Sequence, residues 1–159
     1  MGFASQTIRG SELMTPTSQT RSRGLFLGGS QTMLGIILVG IGSFFGGALR
    51  YLVSTWVYHV LDSPWFPYGT LIVNVLGCFV IGFLARLAES RAAFTPEMRL
   101  CVFVGVLGGF TTFSSFALET FSLIRDTEQM AALVNIGLQF LLGLLAVWVG
   151  NMLAHAIGG

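Results

Sequence analysis

The stretch Gly108-Gly109-Phe110-Thr111-Thr112-Phe113-Ser114-Ser115-Phe116 places two glycines and four hydroxyls inside an otherwise apolar run. In hydrocarbon every backbone polar group needs an internal partner, so irregular chain at membrane depth survives only where protein covers it or it lines a polar path. Spans broken in this way accompany ion and solute sites. Two glycines each cost about 1 kcal/mol relative to alanine in a helix, and the threonines that follow can bond back to carbonyls. Unwinding is therefore expected within this stretch.

Composition sets the compartment. Charged residues are 9% of the 159-residue chain and apolar residues 53%, where soluble domains carry about 25% charge. The chain reads as an integral membrane protein. Net charge is +1, from eight arginines and seven carboxylates without lysine, which gives no reason to expect a nucleic-acid partner. Cys78 and Cys101 both fall in apolar segments and read as inert packing residues, with no disulfide framework or metal motif.

Four apolar segments, near 33–60, 67–88, 98–124 and 129–157, each reach the roughly 20 residues that a bilayer core requires. The first gap holds Asp62, Ser63, Pro64 and Pro67 among Trp56, Tyr58, Trp65 and Tyr68, an interfacial aromatic belt. In the second gap Thr95-Pro96-Glu97 reads as a helix start. The third gap, Arg125-Asp126-Thr127-Glu128, is so short that the last two spans must be antiparallel neighbours. Residues 33–157 therefore form an all-α membrane domain of four spans, the third broken near its middle. Residues 1–32, rich in Ser, Thr and Gly, are expected to be a disordered tail, and Met33 is a second candidate start.

With an even number of spans, Arg9, Arg21, Arg23, Arg86, Arg91 and Arg99 share one face and Arg125 lies on the other. The positive-inside rule then places both termini in the cytoplasm. Starting at Met33 would reduce the bias to three arginines against one.

Polar residues inside the spans come next. Thr70 and Asn74 are four apart and share a helical face, as pore donors or as interhelical glue. Phe113 and Phe116 share a face of the third span, with Thr112 and Glu119 close to the same stripe. Arg50 lies within the first span, where a charge faces a cavity or a partner, or snorkels to the interface. On the fourth span Asn135, Gln139 and Gly143 form a seam at fourfold spacing. Gly42 with Gly46, and Gly105 with Gly109, are small-xxx-small pairs that let backbones approach. His59 and His155 lie near span ends and read as interfacial.

Three motifs in order resemble the CrcB, or Fluc, fluoride channels: Gly46-Gly47-Ala48-Leu49-Arg50-Tyr51, then Gly69-Thr70 with Asn74-Val75-Leu76-Gly77 and Gly82, then the Gly108 to Phe116 stretch. The resemblance implies a passive fluoride channel in the bacterial inner membrane that lowers cytoplasmic fluoride, not an enzyme. It further implies an antiparallel, dual-topology homodimer with two fluoride pathways and a central structural sodium ion. The arginine bias leaves open pairing with an oppositely inserted homologue instead. By the same resemblance Thr70 and Asn74 are pathway donors, Phe113 and Phe116 border the ion path, and Arg50 sits in the vestibule. Ser114 and Ser115 match the hydroxyl-rich turn and Glu119 the acidic residue beyond it. Gly108 and Thr111 match the positions whose carbonyls hold sodium. Asn135 and Gln139 are assigned to the pathway although, with Gly143, they stand where some members carry hydroxyl residues. Two other classes stay open. A small proton-coupled exporter would need a titratable group such as Glu119, and a non-transporting membrane scaffold would use the amides and glycines for packing alone.

Overall fold

The computed structural model describes residues 18–62, 65–90 and 94–158, and the side chains of 31–62, 65–89 and 94–158. Its helices are α1 (Ser18–Leu61), α2 (Tyr68–Ser90), α3 (Pro96–Arg99), α4 (Gly108–Phe110), α5 (Phe113–Arg125) and α6 (Gln129–Gly158), with a π-helical stretch, Leu100–Leu107, joining α3 to α4. No strand occurs among the described residues. The described residues fall into two units divided after Met33, and the spans lie in the second apart from the start of the first span at Gln31. Of the tail expected to be disordered, residues 1–17 lie outside the described residues, and α1 begins at Ser18.

Four segments are long and apolar enough to cross a bilayer: Gln31–Leu61, Tyr68–Glu89, Pro96–Arg125 and Gln129–Gly158. The third is assembled from α3, the π-helical stretch, α4 and α5. Its start follows from local chemistry, because Thr95 caps the helix by accepting from the Met98 amide at 3.3 Å and Pro96 occupies the first turn. At its other end Thr127, at φ 67°, turns the chain sharply into α6.

Glycine decides how closely these helices approach. A Cβ on Gly42 would lie 2.5 Å from the Cys101 carbonyl, and one on Gly46 would strike the Val106 carbonyl oxygen and sit 2.8 Å from the Phe110 amide nitrogen. From the opposite side, a Cβ on Gly105 would be 3.0 Å from Gly42 Cα and one on Gly109 2.7 Å from the Ser43 carbonyl. The two small-xxx-small pairs thus interlock. The α2–α6 pair repeats the device, with Gly82 against the Val147 carbonyl and Gly150 against that of Phe79.

Both ends of the domain are tied. Phe66 in the first gap packs in a buried cluster with Leu71, Leu123, Ala131 and Ala132, so the first and third gaps meet on one side. On the other, Arg86 Nη2 lies 3.0 Å from His155 Nδ1 and Arg99 donates to the Ala88 carbonyl at 3.0 Å. Cys78 and Cys101 are free and half-buried.

Candidate functional site

The third span does break, but not at its glycines. Gly108 to Phe110 remain helical, and the chain becomes extended at Thr111 (φ −81°, ψ 156°) and Thr112 (φ −149°, ψ 112°). Gly109 is explained by its approach to Ser43, so unwinding is the work of the two threonines. Thr111 closes the preceding helix by donating its hydroxyl to the Leu107 carbonyl at 2.9 Å. Thr112 opens α5 as its cap: Oγ1 accepts from the Ser115 amide at 3.2 Å and lies within 3.0 Å of Ser115 Oγ and 3.2 Å of Ser114 Oγ. A cap of this kind contributes about 1 kcal/mol.

The break is held from α2. Asn74 Oδ1 accepts from the Thr112 amide at 2.9 Å, while Asn74 Nδ2 donates to the Thr112 carbonyl at 3.1 Å. The same Nδ2 donates to Gln139 Oε1 on α6 at 3.2 Å. One carboxamide therefore joins α2, the break and α6. Gly77, one turn further along α2, makes room, since a Cβ there would overlap Thr111 Cγ2.

Around this junction lies a pocket of about 390 Å³ lined by Asn74, Gln139, Gly108, Thr111, Thr112, Phe113 and Phe116, with Phe103, Leu107 and Phe140 among its apolar walls. The rings of Phe113 and Phe116 stand 5.6 Å apart at 58°. Phe116 is buried, whereas Phe113 is 76% exposed on the isolated subunit. Phe113 thus leaves an open side to the pocket.

A second polar group lies along α5. Thr70 donates to Glu119 Oε1 at 2.6 Å, Thr120 donates to the Phe116 carbonyl at 2.7 Å, and Asn135, wholly buried, donates to Thr120 Oγ1 at 2.9 Å. Glu119 also lines a second cavity of about 330 Å³ with Tyr58, Trp65, Ser122 and Asp126. Three buried side-chain atoms have no hydrogen-bond partner among the described residues: Glu119 Oε2, Asn135 Oδ1 and Gln139 Nε2.

Of the residues singled out from sequence, Asn74, Gln139, Phe113, Phe116, Gly108 and Thr111 come together at the first pocket. Thr70 and Asn135 belong instead to the group along α5. Ser114 and Ser115 cluster on the Thr112 cap. Arg50 is half-buried and makes no hydrogen bond or ion pair among the described residues, where the sole ion pair is Arg125 with Asp126 at 3.1 Å. Gly143 packs, with a Cβ there 3.6 Å from Cys78 Sγ. Two contributors went unassigned in the sequence. Thr112 is signalled as a helix cap by its hydroxyl standing directly before the apolar-periodic run that begins at Phe113. Thr120 back-bonds within its own helix, and no local pattern marks it.

Comparison with known proteins extends this picture. The family described as CrcB-like protein, Camphor Resistance (CrcB), matches residues 37–151. The fluoride-specific ion channel FluC of Rhizobium meliloti is 44% identical over 122 residues, 77% of this chain and 97% of that protein. The FluC proteins of Ruminiclostridium cellulolyticum (42% over 125 residues, 79% of this chain and 95% of that protein) and Chlorobium chlorochromatii (40% over 124 residues, 78% and 95%) are also similar to this chain.

Proposed function

Because this chain belongs to the CrcB-like family, we propose that it is a passive, fluoride-selective channel that lets fluoride leave the cytoplasm of a bacterial cell. It is a multi-pass integral membrane protein, not an enzyme. The observation that carries the reading is the pocket at the helix break, where two carboxamides meet the rings of Phe113 and Phe116. Fluoride is small and holds its water tightly, so a selective path must replace those hydrogen bonds with fixed donors. Carboxamide N–H groups donate, and the positive edge of a phenylalanine ring adds weak attraction. Binding then stays weak enough for the ion to leave. Arg50, half-buried and without a partner among the described residues, would add a fixed positive charge that favours anions.

Purified protein in liposomes is expected to release fluoride far faster than chloride with no proton gradient applied. Efflux that appears only under an imposed proton gradient would replace the channel by an exporter, with Glu119 as the titratable group. A second expectation concerns Phe113→Ala, which removes ring edges from the pocket while leaving the subunit's glycine contacts untouched. An aromatic contact of about 0.5–1.5 kcal/mol corresponds to roughly a two- to tenfold fall in throughput, with the oligomer unchanged on size exclusion. Monomeric Phe113→Ala protein would make this ring a packing residue instead.

In this proposal the channel is an antiparallel homodimer with two pathways. Support comes from the apolar surface of α5, where Phe113, Leu118 and Phe121 are more than half exposed. The arginine bias supports the variant in which an oppositely inserted homologue is the partner.

A structural sodium ion also fits the donor set. Continuous helix would give the Gly108 carbonyl the Thr112 amide and the Thr111 carbonyl the Ser115 amide, but those amides go to Asn74 Oδ1 and Thr112 Oγ1. Both carbonyls are thereby freed on accessible chain, and uncharged oxygens of this kind suit a hard cation. Gly108 and Thr111 would hold it. Its role would be to fix the break by binding carbonyls that lack helical partners.

A further inference from the structure

Chemistry fixes the orientation of the two carboxamides that meet at the break. The Thr112 backbone offers one group that only donates and one that only accepts, so Asn74 must present Oδ1 to the amide and Nδ2 to the carbonyl. The second hydrogen of Nδ2 serves the bond to Gln139, which must answer with Oε1. Both N–H groups of Asn74 are thereby committed inside the protein. Gln139 is left with Nε2, buried and unpartnered among the described residues, on a side chain that lines the pocket beside Phe113 and Phe116. The other two unpartnered buried atoms, Glu119 Oε2 and Asn135 Oδ1, are oxygens. An ionised or amide oxygen accepts and cannot donate to an anion. Among the three, Nε2 alone supplies hydrogens.

We infer that Gln139 Nε2 is the amide that contacts the permeating anion in this chain, and that Asn74 is a positioning residue that orients Gln139 while pinning the break. The inference rests on the fluoride-channel reading. It departs from the sequence reading, in which Asn74 and Gln139 are both pathway residues, by leaving the contact to Gln139 and giving Asn74 a positioning role. It also makes the selectivity site a product of two helices, since the Gln139 amide is turned by a bond from α2.

The test compares fluoride efflux from liposomes containing wild type, Gln139→Met and Gln139→Glu, each confirmed as the same oligomer. Losing one hydrogen bond to a charged partner, about 1.5–3 kcal/mol, corresponds to an expected fall of about 10- to 100-fold in both variants. Gln139→Met also frees one Asn74 N–H. If Asn74 were the direct donor, that variant would conduct as well as wild type or better, and this result would overturn the inference. Gln139→Glu keeps an oxygen facing Asn74, so it serves if the methionine variant fails to assemble; wild-type efflux from it would equally overturn the inference. As a readout independent of packing, side-chain amide NMR during a sodium fluoride titration is expected to shift the Gln139 NH2 pair and leave that of Asn74 nearly still. The reverse pattern overturns the assignment. Wild type that conducts while Gln139→Met is unaffected removes this inference alone, whereas wild type that releases no fluoride removes the channel reading and this inference with it.

Discussion

Asn74→Asp is expected to reduce fluoride efflux by about 100-fold or more while the protein still reaches the membrane. The substitution keeps the oxygen that accepts the Thr112 amide, but its second oxygen faces the Thr112 carbonyl and Gln139 Oε1, where wild type places a donor. Leaving a buried carbonyl unmatched costs about 1–3 kcal/mol. Gln139 can relieve part of this by turning its NH2 toward the new carboxylate, which withdraws the pocket's free donor. A negative charge is also added beside the proposed path of an anion. About 3 kcal/mol on a barrier is roughly 100-fold in rate, and the same penalty lowers the melting temperature by several degrees for a domain of this size. Liposome efflux together with thermal melting in detergent checks both arms. Unchanged efflux would take Asn74 out of the site, and an unchanged melting temperature would take it out of the architecture.

Gly46→Val is expected to prevent assembly altogether. The added Cβ would overlap the Val106 carbonyl oxygen and come within 2.8 Å of the Phe110 nitrogen, and both are backbone atoms that no rotamer change can move. Overpacking typically costs about 1–3 kcal/mol when side chains can shift; a clash with helical backbone belongs at or above the top of that range. Very little monodisperse protein should be recovered from membranes. Gly40→Ala is the matched control, because a Cβ there meets nothing within 4 Å and alanine is favoured over glycine in a helix by about 1 kcal/mol. Wild-type recovery of Gly46→Val would mean that α1 and the third span do not pack as described.

The four spans were legible because crossing a bilayer demands a long local run of apolar residues, a property of sequence windows. The gap holding Thr95 and Pro96 was read correctly for a similar reason, since a cap and its proline are neighbours in the chain. The glycine pairs, Gly42 with Gly46 and Gly105 with Gly109, marked surfaces of close approach, though not which surface faced which. That the break would fall within the Gly108 to Phe116 stretch was also readable. Its position was not, because Gly109 is used for packing against Ser43 and Thr112 is held extended by Asn74, 38 residues away. Contacts across such separations leave no trace in periodicity. The fourfold spacing of Asn135 and Gln139 placed both on one face of α6, yet the two lie against different parts of α5 and the break: Asn135 meets Thr120 and Gln139 meets Asn74. Helical spacing identifies a shared stripe and is blind to what each rung of it touches.

The winding of Leu100–Leu107 sets the azimuth of everything that follows it in the third span. An i→i+5 helix takes more residues to complete a turn than an i→i+4 helix. Rewinding these eight residues into the tighter form would swivel α4 and the threonines beyond it about the helix axis. Gly105 and Gly109 would rotate out of the notch formed by Gly42 and Gly46, and Thr112 would sweep away from Asn74. The break with its pocket and the screw of this short segment are therefore geared together, so a one-residue insertion or deletion between Leu100 and Leu107 acts on the pocket as directly as a substitution in its wall.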